Sequence, residues 1–413
     1  MRGLRELGSL TVLSLEVFSS LQLCAIEEPL FPNLKTLGLW HVTGEFIPFI
    51  PLFLSPRTTA LTIPSIEYDL PNEVVASMIT TFSTLCPNLR EVNLHHLPRD
   101  PTITAAVSGI LLSNNRNTLR SFHVDSPLTK EARDIIYKLP ELGGLWIIIE
   151  GPTSLPTLVL PNLIELDVEY DHDSDWLQGF RGATFGKLAS IIVRSEPEPT
   201  CDFLEAFKSV VLTTSATMTL SKFKFYTSHP WNPSYRSLLP FTQLTELIIE
   251  SPCSDVCSTS VDDDIIATLA QAMPKLETVV LGDRPCHEVS TGVTAEGLAI
   301  LAHHCPDLST LRIHFQVASF SVPPVVGGMV CGAGTSAPQR DCALEEFEVG
   351  LIPVLEESVT MVATTLARIF PRIANIEYID ENWGKVMDAI RCPFKQAAEC
   401  PGKEPPYLHV NVP

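Results

Sequence analysis

One hydrophobic phrase returns along nearly the whole chain. It reads FPNLKTLGL from Phe31, CPNLREVNL from Cys86, LPELGGLWI from Leu139, LPNLIELDV from Leu160, FTQLTELII from Phe241, MPKLETVVL from Met273, CPDLSTLRI from Cys305 and FPRIANIEY from Phe370. The shared pattern is apolar-Pro-x-Leu-x-x-Leu-x-Leu. Weaker copies start at Leu10 (LTVLSL), Leu119 (LRSFHV), Leu188 (LASIIV) and Leu344 (LEEFEV), with FKFYT around Phe223. Most steps between first leucines span 21 to 36 residues. Two steps of about twice that length, Leu34 to Leu89 and Leu188 to Leu244, each predict a degenerate unit, near Thr58 to Ile63 and near Phe223.

The closing L-x-L alternates as a short strand with one buried face does, and the earlier Leu fills the core beside it. A single such strand cannot hide its apolar face. Stacked copies can, as a parallel sheet on one side of a solenoid with the connecting segments packed on the other. Several connectors carry helical periodicity: Asp262 to Met273, Thr294 to Cys305, Glu357 to Phe370 and Val74 to Leu85. In the first of these Ser260 stands at the expected N-cap, with Asp263 as its capping-box partner, and the acidic first turn complements the helix dipole.

The unit GVTAEGLAILAHHCPDLSTLRI closely resembles the cysteine-containing subtype of leucine-rich repeat, in which a helix ends at Cys-Pro and runs into the strand. That subtype is typical of F-box proteins with leucine-rich repeats. From about residue 240 to 390 the chain is similar to the repeat region of fungal, especially basidiomycete, F-box-like proteins. The resemblance implies an α/β leucine-rich-repeat solenoid, a horseshoe with its parallel β-sheet on the concave face and helices and irregular segments on the convex face. It also implies a non-catalytic module that presents target proteins to a cullin-type ubiquitin ligase through a Skp-type adaptor. Because leucine-rich units begin within the first ten residues, an F-box is expected to be absent from this chain. The position eight residues after the first Leu, often Asn or Cys in such repeats, holds Val42, Leu97, Asp171, Pro252, Arg284 and Gln316, so the usual side-chain ladder is not expected. The expected organisation is a solenoid over 1–390 of about 12–14 irregular repeats, a Gly/Pro-rich insertion at 321–342 and a tail at 391–413.

Charge narrows the partners. With 28 Lys+Arg against 48 Asp+Glu the net charge is −20, which opposes a phosphate-tracking surface or an anionic membrane, so neither nucleic acid nor membrane is an expected partner. No apolar run approaches the roughly 18 residues of a membrane span, and the acidic Glu6 interrupts any secretory signal, so the expected place is cytoplasmic or nuclear. Proline is abundant, 34 of 413 residues, and seven prolines stand two residues before the first Leu or Ile of a repeat, where they stop a helix and preset extended chain.

Signatures of catalysis are thin. No nucleophile elbow, zincin pair or phosphate loop occurs, and the Gly-rich run from Gly327 lacks the phosphate-binding Lys. Cys253 and Cys257 have no second ligand pair, while Asp171, His172, Asp173 and Asp175 lack the Gly and terminal Glu of a calcium loop. His303 and His304 point about 100° apart on a helix, and Cys86 and Cys305 occupy equivalent places before Pro, as buried structural thiols would. Neither cofactor nor metal is expected.

What remains is the concave face, where the residues between and just after the last two apolar positions project. Its aromatic and histidine members include Trp40, His95, Trp146, Tyr226 and His314. Its charged candidates are Asp125, Asp167, Glu169, Arg194, Glu250 and Arg312, and Asn93, His123, Lys224, Glu348 and Glu377 share the face. Aromatic anchors among scattered charges suit a protein-binding surface. A different reading, a small-GTPase regulator resembling the leucine-rich Ran GTPase activator, would need a catalytic surface Arg or Asn and usually an acidic tail, and the tail CPGKEPPYLHVNVP is nearly neutral; a third is a degenerate paralogue with a generic scaffold role.

Overall fold

The computed structural model describes residues 15–23, 29–149, 159–170, 185–199, 203–212, 219–231, 233–252, 261–282, 292–321, 342–350, 352–378 and 380–391. Among them one sheet of 13 strands runs in strict sequence order, every neighbouring pair parallel. Its strands are β1 (Thr36–Gly38), β2 (Ala60–Ile63), β3 (Glu91–Leu94), β4 (Ser121–Pro127), β5 (Gly144–Ile149), β6 (Glu165–Tyr170) and β7 (Ser190–Ser195), followed by β8 (Lys222–Thr227), β9 (Glu246–Glu250), β10 (Thr278–Leu281), β11 (Thr310–Ile313), β12 (Glu346–Gly350) and β13 (Asn375–Tyr378). This is the expected leucine-rich-repeat solenoid.

The repeated phrase has two structural halves. In the first, apolar-Pro-x-Leu closes a four-residue turn: the amide of Leu308 donates to the Cys305 carbonyl at 3.2 Å, Leu276 to Met273 at 3.2 Å and Ile373 to Phe370 at 3.2 Å. Pro occupies the second position of that turn, which its fixed φ favours. In the second half, the carbonyl of the residue after the first Leu accepts two amides from the next repeat. The Thr245 carbonyl takes Glu277 N at 2.7 Å and Thr278 N at 3.0 Å, and the Glu277 carbonyl takes Ser309 N at 2.8 Å and Thr310 N at 3.1 Å. The same two-amide acceptor recurs at all 12 junctions between neighbouring strands, from Lys35 to Glu345.

Both degenerate units are real strands. Thr58 stands where a first Leu would, fully buried, and its hydroxyl accepts from Ser55 N at 3.2 Å and donates to the Leu34 carbonyl at 3.2 Å. Before β8 the buried Leu220 fills that place. The LTVLSL copy at Leu10 lies outside the described residues, apart from the final Leu15, which opens the helix Leu15–Leu23. So do 322–341 of the expected insertion and 392–413 of the tail.

Along the other face of the sheet pack the helices α1 (Leu15–Leu23), α2 (Asn72–Leu85), α3 (Pro101–Leu112), α4 (Lys130–Ile136), α5 (Phe203–Leu212), α6 (Asp263–Ala272), α7 (Ala295–His304), α8 (Val359–Ile369) and α9 (Glu381–Arg391). The sequence pattern located α2, α6, α7 and α8. The N-cap of α6 is a correction: Asp262, not Ser260, is the extended capping residue and accepts from Ile265 N at 2.8 Å. Asp263 instead turns toward the next repeat and takes Thr294 N at 2.8 Å and the Thr294 hydroxyl at 2.6 Å. A Cβ on Gly297 would fall 2.1 Å from the Asp263 carboxylate, so glycine there makes room for the bond. Cys305 and Cys342 are buried, with each Sγ on a turn carbonyl of the preceding repeat, Met273 at 3.6 Å and Cys305 at 3.7 Å. Burial pushes the Cys305 thiol up to about 12 and that of Cys86 up to about 11, which suits inert packing groups.

No helix among the described residues is long and apolar enough to cross a membrane. The core runs the length of the solenoid, and most repeats contribute a leucine at the turn. Leu308, fully buried, is such a residue. Leu308→Ala should lower the unfolding free energy by about 2–5 kcal/mol, seen as a lower urea midpoint. Leu355→Ala, at a side chain 63% exposed, should shift it by less than about 0.5 kcal/mol.

Candidate functional site

Strand register sorts the concave face into levels. At the middle level Asn93, His123, Trp146 and Asp167 stand side by side on β3 to β6, with Lys224, Arg312 and Glu348 further along. The level at the strands' C-terminal ends carries His95, Asp125, Glu169, Arg194, Tyr226, Glu250 and His314. Over the three outward levels of the 13 strands there are ten carboxylates and four Lys or Arg.

Arg194 is the hub. Its guanidinium lies 5.2 Å from the Trp146 ring centroid and 5.7 Å from that of Tyr226, and it is paired with the Asp167 carboxylate. The His95 ring packs on the other side of this group, 4.9 Å from Trp146. Half-buried cation–aromatic contacts are worth about 0.5–2 kcal/mol each, so side chains from β5, β7 and β8 hold one another in place without a ligand.

The second assembly is a charge lattice. Arg99, in the loop after β3, reaches Glu169 at 2.6 Å and Glu196 at 3.1 Å. Glu246 takes Lys224 at 2.6 Å and Lys222 at 3.3 Å, while Arg312 joins Glu250 and, at 3.3 Å, Glu348. Arg312 is 8% exposed and His314 7%, so both belong more to the wall than to the open surface. The His314 ring lies over Gly282, whose φ of +103° and lack of Cβ permit the approach. Between Arg194, Glu169, Glu196, Tyr226 and Glu250 the face sinks into an open depression of about 390 Å³.

Of the sequence candidates, His95, Trp146, Asp167, Arg194 and Tyr226 form one contact group, Glu169 and Glu250 line the depression beside it, and Arg312 and His314 lie further along the sheet. Trp40 is apart: it is 69% exposed at the end of β1, the edge strand of the described sheet. Asp125 is engaged by backbone, accepting from the amides of His96 and, at 3.1 Å, Leu97. Sequence reasoning missed Arg99 and Glu196, because both lie beyond the repeated phrase and their pairing depends on the path of the loop. No three-member group of His, Cys, Asp or Glu suited to a metal occurs among the described residues. His303 and His304 end α7 with rings 4.9 Å apart, and burial, then the charge of His303, lowers the pKa of His304. The clusters at Asp171, Cys253 and Gly327 lie outside the described residues.

Three polar atoms at the middle level are sealed from solvent without a hydrogen-bond partner: Asn93 Oδ1, His123 Nε2 and Trp146 Nε1. Such atoms cost roughly 1–3 kcal/mol each, so packing of the aromatic group outweighs polar satisfaction here. Burial lowers the pKa of His95 and His123, keeping the imidazoles neutral near neutral pH, and raises that of Glu169.

Burial also pushes Asp167 up to about 6, against the pull of Arg194. A carboxyl whose folded value exceeds its unfolded 3.8 favours folding fully only below that lower value, and the contribution fades as pH rises through about 6. Asp167→Asn, which does not titrate, should therefore gain in urea midpoint relative to the parent protein as pH is raised from about 4 to about 7. A constant difference between the two proteins across that range would refute the assignment.

Neither family models nor curated proteins give a match to this chain. Solved structures do. One is an internalin from Listeria monocytogenes, 11% identical, with a TM-score of 0.36 over 74% of this chain and 84% of that one.

Proposed function

We propose that the concave face is a protein-binding surface and that this chain is the substrate-recognition part of an F-box-like protein linked to cullin-type ubiquitin ligation. The observation that carries the binding role is the Arg194 guanidinium held between Trp146 and Tyr226 at the centre of an open sheet face. Arg, Trp and Tyr dominate the energetics of protein interfaces, and they do so best when preorganised near the middle of a patch.

Size agrees with that role. Thirteen strands at about 4.8 Å spacing and three outward levels give a face of about 58 Å by about 13 Å, on the order of 750 Å², close to the roughly 800 Å² per partner of a standard interface. The negative excess on the face argues for a protein rather than a phosphate backbone. The ligase connection is supported by the likeness of the repeat sequence to fungal F-box-like proteins.

The test is proximity cross-linking of the full chain in a fungal host followed by identification of the linked proteins. A Skp-type adaptor and cullin should be recovered together with a target. Arg194→Ala/Trp146→Ala should lose the target, since truncating a central anchor typically costs about 2 kcal/mol or more, whereas Lys385→Ala on α9 should keep it. Loss of the target in neither variant would remove the concave face as the binding surface, and recovery of a target without adaptor or cullin when an F-box is encoded upstream of the repeats would remove the ligase role.

A further inference from the structure

Arg99 makes a connection across several strands of the face. Its loop leaves β3, yet its guanidinium sits on Glu169 at the end of β6 and on Glu196 just past β7. Four strand spacings separate β3 from β7, about 19 Å, so the loop must lean across the sheet to deliver the charge.

The loop is built to lean. His96 has a left-handed backbone with φ of +57°, and the amides of His96 and Leu97 are held by the Asp125 carboxylate of β4. At its other end Asp100 caps α3, accepting from Thr102 N at 2.8 Å, and takes the Asn72 side-chain amide at 3.0 Å. The backbone on both sides of Arg99 is therefore tied by bonds that do not involve its own side chain. That side chain remains 40% exposed and projects to the rim of the depression beside Tyr226.

Two features of the receiving site are independent of Arg99. Of the three carboxylates around the depression Glu250 is paired with Arg312, while Glu169 and Glu196 face one lining cation, Arg194, which Asp167 already neutralises. The whole concave face carries ten carboxylates against four cations, so its field draws in positive charge.

We propose that Arg99 holds the place of a basic side chain from the partner, and that the concave face takes an extended Lys/Arg-bearing polypeptide whose cation displaces Arg99 from Glu169 and Glu196. This rests on the reading of the face as a protein-binding surface. Partly exposed ion pairs of this kind are each worth at most about fivefold in an equilibrium constant, so Arg99 restrains the site without closing it. On displacement the loop keeps its ties to Asp125 and Asn72.

The test uses fluorescein-labelled peptides of four Gly-Ser-Arg repeats, with Gly-Ser-Gln and Gly-Ser-Glu counterparts, in fluorescence anisotropy with the full chain at physiological ionic strength. The Arg peptide should bind best. Arg99→Gln should tighten it by about fivefold. Glu169→Gln/Glu196→Gln should weaken it by at least fivefold and cancel the effect of Arg99→Gln in the combined variant. A control of equal charge, Glu91→Gln/Glu346→Gln on the same face, should change affinity less than twofold, and circular dichroism melts should show every variant folded. Equal weakening by both double variants, unchanged or weaker binding by Arg99→Gln, or preference for the Glu peptide would each overturn the proposal. If no peptide binds while the cross-linked target still depends on Arg194, this inference falls and the binding surface stands; if the target is also indifferent to Arg194, the surface itself is refuted.

Discussion

A single backbone carbonyl in each repeat governs the geometry of this protein. It belongs to the residue after the first Leu, and it receives two amides from the next repeat, so every strand enters the sheet at a fixed height relative to its neighbour. A carbonyl oxygen has two lone pairs, and this arrangement uses both. Strand register is thus set by main chain ahead of each strand, at a position where side-chain identity is free to vary from Lys35 to Gly143 to Glu345. This explains why connectors of very different length and type, from the 3-10 turn at Ile47–Phe53 to the 14-residue α2, can follow one another.

Fixed strand height is what lets side chains on non-adjacent strands meet. Trp146 and Arg194 are two strands apart, as are Glu250 and Arg312, and both pairs close because no register slip accumulates between them. The one irregularity near the site, between His123 and Pro127 on β4, coincides with Asp125 turning away from the open face to hold the loop after β3. Local disorder of the ladder thus redirects one carboxylate from surface to scaffold.

Much of this was readable in the sequence. The alternation of Leu and Ile fixed which positions face the core, and from it the outward set of His95, Trp146, Asp167, Arg194 and Tyr226 followed directly. The phrase even located the weak unit at Thr58, where a hydroxyl with two local bonds substitutes for a leucine. What the pattern could not convey was reach. Nothing local marks Arg99 as a partner of Glu169 and Glu196, 70 and 97 residues away, because the path of its loop depends on the left-handed His96 and on a carboxylate one repeat further on. The cap of α6 failed for a smaller reason: Ser260 and Asp262 both carry the oxygen that an N-cap needs, and nothing local says that the helix starts at the later of the two.

Among the described residues, two cations on the inner side tie strands that are not neighbours. A solenoid whose repeats touch only their neighbours bends easily, since each junction contributes its own small hinge. Here the guanidinium of Arg99 spans from the third repeat strand to the seventh, and that of Arg312 from the ninth to the twelfth. Such chords act on the arc as a string acts on a bow. These contacts link repeats that are not neighbours, and being ionic they weaken as salt rises while the apolar core between them does not.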